Sequence, residues 1–270
     1  MHRVLCSTGA LIGRPNGRDY RLLAPCVEKL ECDAFEFMMY GSWYPEIDSL
    51  SRFLEGLALD IPVLHCEKSI GELLSGDDEA QRAEAFSRFE INCQLARRLG
   101  AGRLVMHLWD GLPSDRYFSR NLSAYGRLDA LARRYGLELT AENVVCAQAD
   151  PLTRWRQLIQ AEPEARLTYD TKMAAFHGQA QQMYQRENRD LWTRITHLHI
   201  NDYRGGTLDW SCLKTLHLGQ GCVDFGQLFA FLDQIGYAGD YTVEATSFLP
   251  DGVIHWQDLN RDFACIRRFL

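Results

Sequence analysis

The feature that most limits the fold is a rhythm that runs from one end of the chain to the other. Short apolar or alternating runs recur, each followed by a polar loop and then by residues at helical spacing. The runs that read as strands span residues 4–8, 34–38, 62–65, 104–107, 138–142, 167–170, 195–200 and 241–244. Helical patterns occupy 19–30, 47–59, 78–99, 116–135, 152–160, 179–193 and 225–235, and a last one at 256–269 closes the chain. Several of these mark their own ends. Gly100 and Gly136 follow basic last turns, and Asp224 stands where an N-cap would precede Phe225.

Eight strands alternating with eight helices predict an α/β fold, a single (β/α)8 TIM barrel spanning residues 1–270 as one domain. Barrels of about 250 residues are routinely one domain, and no Pro/Ser-rich linker divides this chain. The competing layout is a doubly wound open sheet, which announces itself by a Gly-rich loop after the first strand. None is present. The nine cysteines are scattered and include no CxxC pair, which predicts reduced thiols and a cytoplasmic location. The net charge of −7, with both signs interspersed, disfavours a nucleic-acid partner. No stretch approaches the ~18–20 apolar residues of a membrane span, and the first residues lack the charge and apolar length of a signal peptide.

Strand phase is the most informative local signal, because residues two apart in a strand share a face. Glu138, Thr140 and Glu142 oppose Leu137, Leu139 and Ala141, while Thr168 and Asp170 oppose Leu167 and Tyr169. Thr242 and Glu244 oppose Tyr241 and Val243, and His197 and His199 oppose Leu198 and Ile200. The helix-facing side of a barrel strand is apolar, so the polar parity faces the lumen. Strand ends two to eight then carry Glu36, His65, His107, Glu142, Asp170, His199 and Glu244 at the C-terminal rim, where barrel enzymes place their chemistry. Three histidines and four carboxylates aimed at one volume would be poorly solvated without a cation, and imidazole with carboxylate suits zinc, manganese or cobalt. A single Glu or His at a strand end is more often a loop hydrogen-bonder. The joint pattern over four consecutive strands is what points to a metal.

At this point the motifs become specific. The segments AEN (Glu142), YDT (Asp170), HLHIND (His199) and VEA (Glu244) resemble the metal site of the xylose-isomerase-like barrel superfamily. LHLGQGCVDF and QIGYAGDYTVE resemble the stretches that follow strand seven and lead into strand eight in that group. The resemblance implies a divalent ion, zinc or manganese, held by Glu142, Asp170, His199 and Glu244, with Glu142 and Glu244 as the catalytic acid and base. It implies a sugar, sugar-phosphate or polyol isomerase or epimerase acting through a metal-stabilised enediolate, and a small-molecule carbohydrate or polyol as partner. Barrels of this group often pair, so a homo-oligomer is a reasonable expectation.

Two departures keep other reactions open. His65 and His107 stand where the endonuclease IV branch holds a second zinc bridged by the strand-five glutamate, which allows one or two ions per chain and a dinuclear zinc hydrolase as alternative. An inosose-type dehydratase is a further alternative. Met173 stands where a histidine would follow Asp170 by three residues, and Leu213, Lys214 and Thr215 replace an expected Asp-x-His. The third zinc of the nuclease therefore lacks ligands, and Met173 also removes a histidine that several ketose epimerases set on their sugar.

Glu36, Lys172, Asp202, Arg204 and Trp109 are the candidate substrate contacts. Lys172 and Arg204 lie just beyond ligand positions and would grip a phosphate or carboxylate, with loop solvation as the competing role. Asp202, three after His199, either orients that imidazole or caps the strand end. Trp109 either walls the pocket or packs its loop. His197 lies one layer below His199 and reads as a buried, hydrogen-bonded histidine.

Overall fold

The computed structural model describes residues 2–270. Eight strands follow one another in chain order around a closed parallel barrel. They are β1 (Val4–Ser7), β2 (Ala34–Met38), β3 (Val63–His65), β4 (Arg103–Met106), β5 (Glu138–Glu142), β6 (Arg166–Asp170), β7 (Ile195–Ile200) and β8 (Asp240–Val243). Their bounds fall within a residue of those read from periodicity. By Cα packing the chain divides into two compact units, Met1–Glu36 with Tyr169–Leu270, and Phe37–Thr168.

In the first unit β1 pairs in parallel with both β2 and β8, and β7 pairs with β8, setting His199 opposite Thr242. The helix Phe225–Ile235 begins as expected, with Asp224 accepting a hydrogen bond from the Gln227 amide at 2.9 Å. It ends at Gly236, whose φ of +64° a side chain would resist. Leu228, Phe229 and Leu232 form its buried stripe, and Leu259, Phe263 and Ile266 that of Trp256–Arg267. Each such side chain contributes roughly 1.5–3 kcal/mol of transfer free energy.

In the second unit β3 pairs with β4, β4 with β5, and β5 with β6. The lumen parity of β5 and β6 is visible in the Thr140 and Thr168 hydroxyls, 2.7 Å apart and fully buried. The opposite face meets helices: the Trp155 indole, on the helix Pro151–Ala161, donates to the Ala141 carbonyl at 3.2 Å. Asp78 caps the helix Glu79–Arg98, whose buried Ala85, Phe89, Cys93 and Ala96 recur at helical spacing.

Two expected helices differ. Residues 19–30 form a 3-10 turn, Tyr20–Leu23, before the short helix Ala24–Val27, because Pro25 suits only a first turn. Residues 179–193 break into Ala180–Met183, a 3-10 turn and Arg189–Trp192. There Asn188 and Trp192 donate side-chain hydrogen bonds to the Gln182 and Met183 carbonyls, offering those carbonyls partners outside a continuous helix. Among the described residues all nine cysteines are free, and no helix is long and apolar enough to cross a membrane.

The chain after β5 is anchored by Asp115, a buried carboxylate on the helix Gly111–Arg116. It accepts from the Ala147 and Gln148 amides and from Arg154 at 2.6 and 3.0 Å. Burial opposes its charge, but Arg154 and the loop amides hold the carboxyl below the ordinary range. Asp115→Ala is expected to lower the unfolding free energy by about 2–4 kcal/mol, since Arg154 and the loop amides lose their acceptor. A depressed folded-state pKa stabilises above the unfolded value of about 3.9 and ceases to do so as pH falls through the folded one. The deficit of the variant, measured by urea unfolding, therefore shrinks below about pH 4.

Candidate metal centre

In the first unit Asp170, His199 and Glu244 come together at the ends of β6, β7 and β8. Each offers a ligand atom, and these atoms lie within 4.8 Å of one another. Asp170 has its orientation fixed from two sides. One oxygen accepts from the Met173 amide at 2.7 Å, capping the helix Thr171–Phe176, and the other accepts from the Asn201 side chain at 3.0 Å. His199 turns Nδ1 toward Glu244 Oε2 at 3.5 Å. Its Nε2 lies 3.0 Å from Glu36 Oε1.

Glu36 is fully buried beneath this group. Besides His199 it accepts from His197 Nε2 at 2.7 Å and from the Thr242 hydroxyl at 2.8 Å. Burial would raise its pKa, but His199 and His197 hold the carboxyl well below the carboxylate range. A carboxylate oxygen accepts, so each ring is placed to donate to Glu36 from Nε2. In a neutral His199 ring the Nδ1 lone pair then faces a second carboxylate, an arrangement that repels unless a cation stands there. Glu244 Oε1 is buried and has no hydrogen-bond partner among the described residues. Oxygen and nitrogen donors, mutually repelling and one of them unsatisfied, fit a divalent ion.

The second unit carries a second cluster, of His65, His107 and Glu142, all buried, with ligand atoms within 4.8 Å. His65 donates Nδ1–H to the Cys66 carbonyl at 2.8 Å, and its Nε2 lies 3.2 Å from Glu142 Oε2. His107 places Nδ1 3.4 Å from Asp110 and Nε2 2.9 Å from the same glutamate oxygen, yet is not aligned to hydrogen-bond it. Burial and Lys68 oppose a charge on His107, but Glu142 and Asp110 raise its pKa. Each imidazole thus has one nitrogen held by an oxygen behind it and the other turned to Glu142, the tethering typical of metal-bound histidines.

The expected substrate contacts divide. Lys172 is 9% exposed and makes no ion pair or hydrogen bond among the described residues, and Arg204 is exposed. Three others already have partners within the fold. Glu36 has its oxygens occupied by the two histidines and Thr242, so it supports the group from below. Asp202 accepts from four backbone amides, Tyr203 and Val223 on one oxygen, Gly219 and Gly221 on the other, at 2.8–3.0 Å. Its carboxylate therefore shapes the loop after β7. Gly221 is required there, since a Cβ would run into the Tyr203 carbonyl. Trp109 is fully buried, with its indole on the Val144 carbonyl and its ring edge on Phe118, so it packs a loop. His197 is buried and hydrogen-bonded, as its depth suggested. Asn201 and Asp110 went unnoticed in the sequence. The parity of Asn201, two beyond His199, was the available signal for the first.

The family description "Xylose isomerase-like TIM barrel" matches residues 26–261. The chain belongs to the xylose isomerase-like TIM barrel family. No curated protein matches the sequence. Solved structures similar to this barrel include a D-tagatose 3-epimerase-like protein, at TM-score 0.75 and 17% identity over 99% of this chain and 96% of that one. D-Allulose 3-epimerase from Methylomonas sp. aligns at 0.72 and 17%, covering 100% and 98%. The IOLI protein with a bound zinc atom aligns at 0.69 and 15%, covering 99% and 96%. At these identities the likeness is one of fold.

Asp202→Ala in this xylose isomerase-like barrel would deprive four backbone amides of their acceptor. A loss of about 2–4 kcal/mol in urea unfolding is expected, with faster proteolysis within residues 217–223. An unchanged midpoint and cleavage pattern would show that the loop keeps its shape without the anchor.

Proposed function

We propose that the chain is a divalent-metal-dependent isomerase or epimerase of a sugar, sugar phosphate or polyol, acting through an enediolate. The observation that carries this reading is the convergence of Asp170, His199 and Glu244 with one glutamate oxygen buried and unsatisfied. Glu142, at the end of the neighbouring strand β5, is the proposed fourth ligand. Zinc or manganese suits this donor set. The similar structures, a D-tagatose 3-epimerase-like protein, a D-allulose 3-epimerase and a zinc-bound protein, support the same reading.

When bound, the ion would draw electron density from a substrate carbonyl and so acidify the adjacent C–H. Glu142 and Glu244 are the proposed proton carriers, one removing a proton from that carbon and the other returning one. The exchange is redox-neutral and needs no further co-reactant. Asp170, held by Asn201 and the Met173 amide, and His199, held by Glu36, would serve as fixed ligands. Lys172, nearly buried and without a carboxylate partner, favours a substrate bearing a phosphate or carboxylate. Met173, 7% exposed and apolar, cannot hydrogen-bond a sugar hydroxyl as a histidine would. Nine free cysteines favour the reducing cytoplasm.

The His65–His107–Glu142 cluster favours a second reading, a two-ion hydrolase in which Glu142 bridges the metals. Metal analysis separates the two. One ion per chain supports the first. Two ions, falling to one in the His65→Ala/His107→Ala variant, support the second. Purified protein with no bound ion, and no rise in Tm with zinc or manganese, would sink both. Saturation at 100 Kd should stabilise the fold by about 2.7 kcal/mol.

The isomerase chemistry is read by incubating candidate ketoses, with and without phosphate, in D2O and following deuterium incorporation by NMR. Glu244→Gln should reduce the exchange by about 10²–10⁴-fold with the fold intact. Exchange that survives this change would remove Glu244 from proton transfer.

A further inference from the structure

Glu36 was expected at the substrate; it meets His199 at Nε2, whereas Glu244 stands nearest Nδ1, and an oxygen of each carboxylate lies within 4.8 Å of the other. Three donors converge on it inside the first unit: His197 Nε2 at 2.7 Å, His199 Nε2 at 3.0 and 3.2 Å to its two oxygens, and Thr242 Oγ1 at 2.8 Å. All four side chains are fully buried, so no water competes for these bonds. The anchor is rigid on both sides. Glu36 lies in β2, paired with Ser7 of β1, and Thr242 lies in β8 opposite His199 of β7.

An imidazole on a strand can rotate about its Cβ–Cγ bond and can carry its proton on either nitrogen. Only one combination offers a lone pair at Nδ1 on the side of Glu244. We propose that Glu36 is the positioning residue for this centre, selecting the Nε2–H tautomer and the ring orientation of His199 so that Nδ1 is presented as the ligand atom. His197 donates to the same carboxylate, while Glu36 also meets His199 through its other oxygen, Oε1. Glu36 touches neither substrate nor reacting atoms. It acts through the histidine, making the ring a better donor by withdrawing its N–H into a charged hydrogen bond.

The inference rests on the reading of His199 as a metal ligand, and its test is arranged so that the two can fail separately. On metal-free protein, ¹⁵N–¹H correlation spectra of the histidine rings report which nitrogen bears the proton. His199 is expected as the Nε2–H tautomer, with that proton slow to exchange. A proton on Nδ1 in the wild-type protein would overturn the proposal without recourse to any variant.

Glu36→Gln supplies the second arm. Its amide offers one oxygen and an NH₂ in place of two acceptor oxygens, so one imidazole loses its acceptor and meets a donor. His199 is expected to shift in tautomer or to populate two orientations, and zinc affinity, measured against a chromophoric chelator, to fall about 10–100-fold. His197→Gln disturbs the same buried cluster but leaves Glu36 free to hold His199. It should preserve both the His199 tautomer and the zinc affinity. If Glu36→Gln leaves both readouts unchanged, or if His197→Gln alters them equally, the cluster is structural and the proposal fails. If wild-type protein binds no zinc, the ligand reading falls, while the spectra still decide what Glu36 does to His199.

Discussion

A carboxylate removed from water must be given charge or hydrogen bonds by its neighbours, and much of this interior answers to that requirement. Glu36 receives two imidazoles and a hydroxyl, Asp202 four backbone amides, and Asp115 an arginine with a turn of amides. In each case satisfaction is local and complete enough to stand without a ligand. Glu244 is different. It is nearly as deep, but one oxygen has no partner among the described residues and the other stands 3.5 Å from His199 Nδ1. The contrast distinguishes carboxylates that hold the fold from one that awaits a partner.

The three histidines nearest the proposed ions share a design. His65 is tied by the Cys66 carbonyl, His107 by Asp110 and His199 by Glu36, each through one nitrogen, leaving the other turned toward a glutamate. Backbone carbonyl, half-exposed carboxylate and buried carboxylate are anchors of increasing strength. The strongest of them serves His199, which like His107 stands between two carboxylates.

Much of this was legible in the sequence because a barrel imposes two simple periods. Alternation along 138–142 and 167–170 gave the facing of Glu142 and Asp170, and the recurrence of strand and helix gave the closed count of eight. Depth and partnership were not legible. Nothing in the run AFEFM distinguishes a glutamate aimed at a substrate from one beneath a histidine, because the difference lies in His197 and Thr242, more than 160 residues away. The alternatives left open for Asp202 and Trp109 could not be separated for the same reason, their partners being amides and carbonyls that carry no sequence signature. The region 179–193 failed otherwise: helical spacing was present, but Asn188 and Trp192 bonded to carbonyls in place of the helix's own amides.

The loop after β7 has a consequence for how such a barrel can diversify. Its path is set by one carboxylate receiving main-chain amides and by glycines at 219 and 221. The side chains of Gln220 and Cys222, exposed on it, take no part in that arrangement. Shape and surface are thereby uncoupled: the rim keeps its contour while what it displays is free to drift. A scaffold built in this way can explore new ligands by exchanging exposed letters on a frame already written in the backbone.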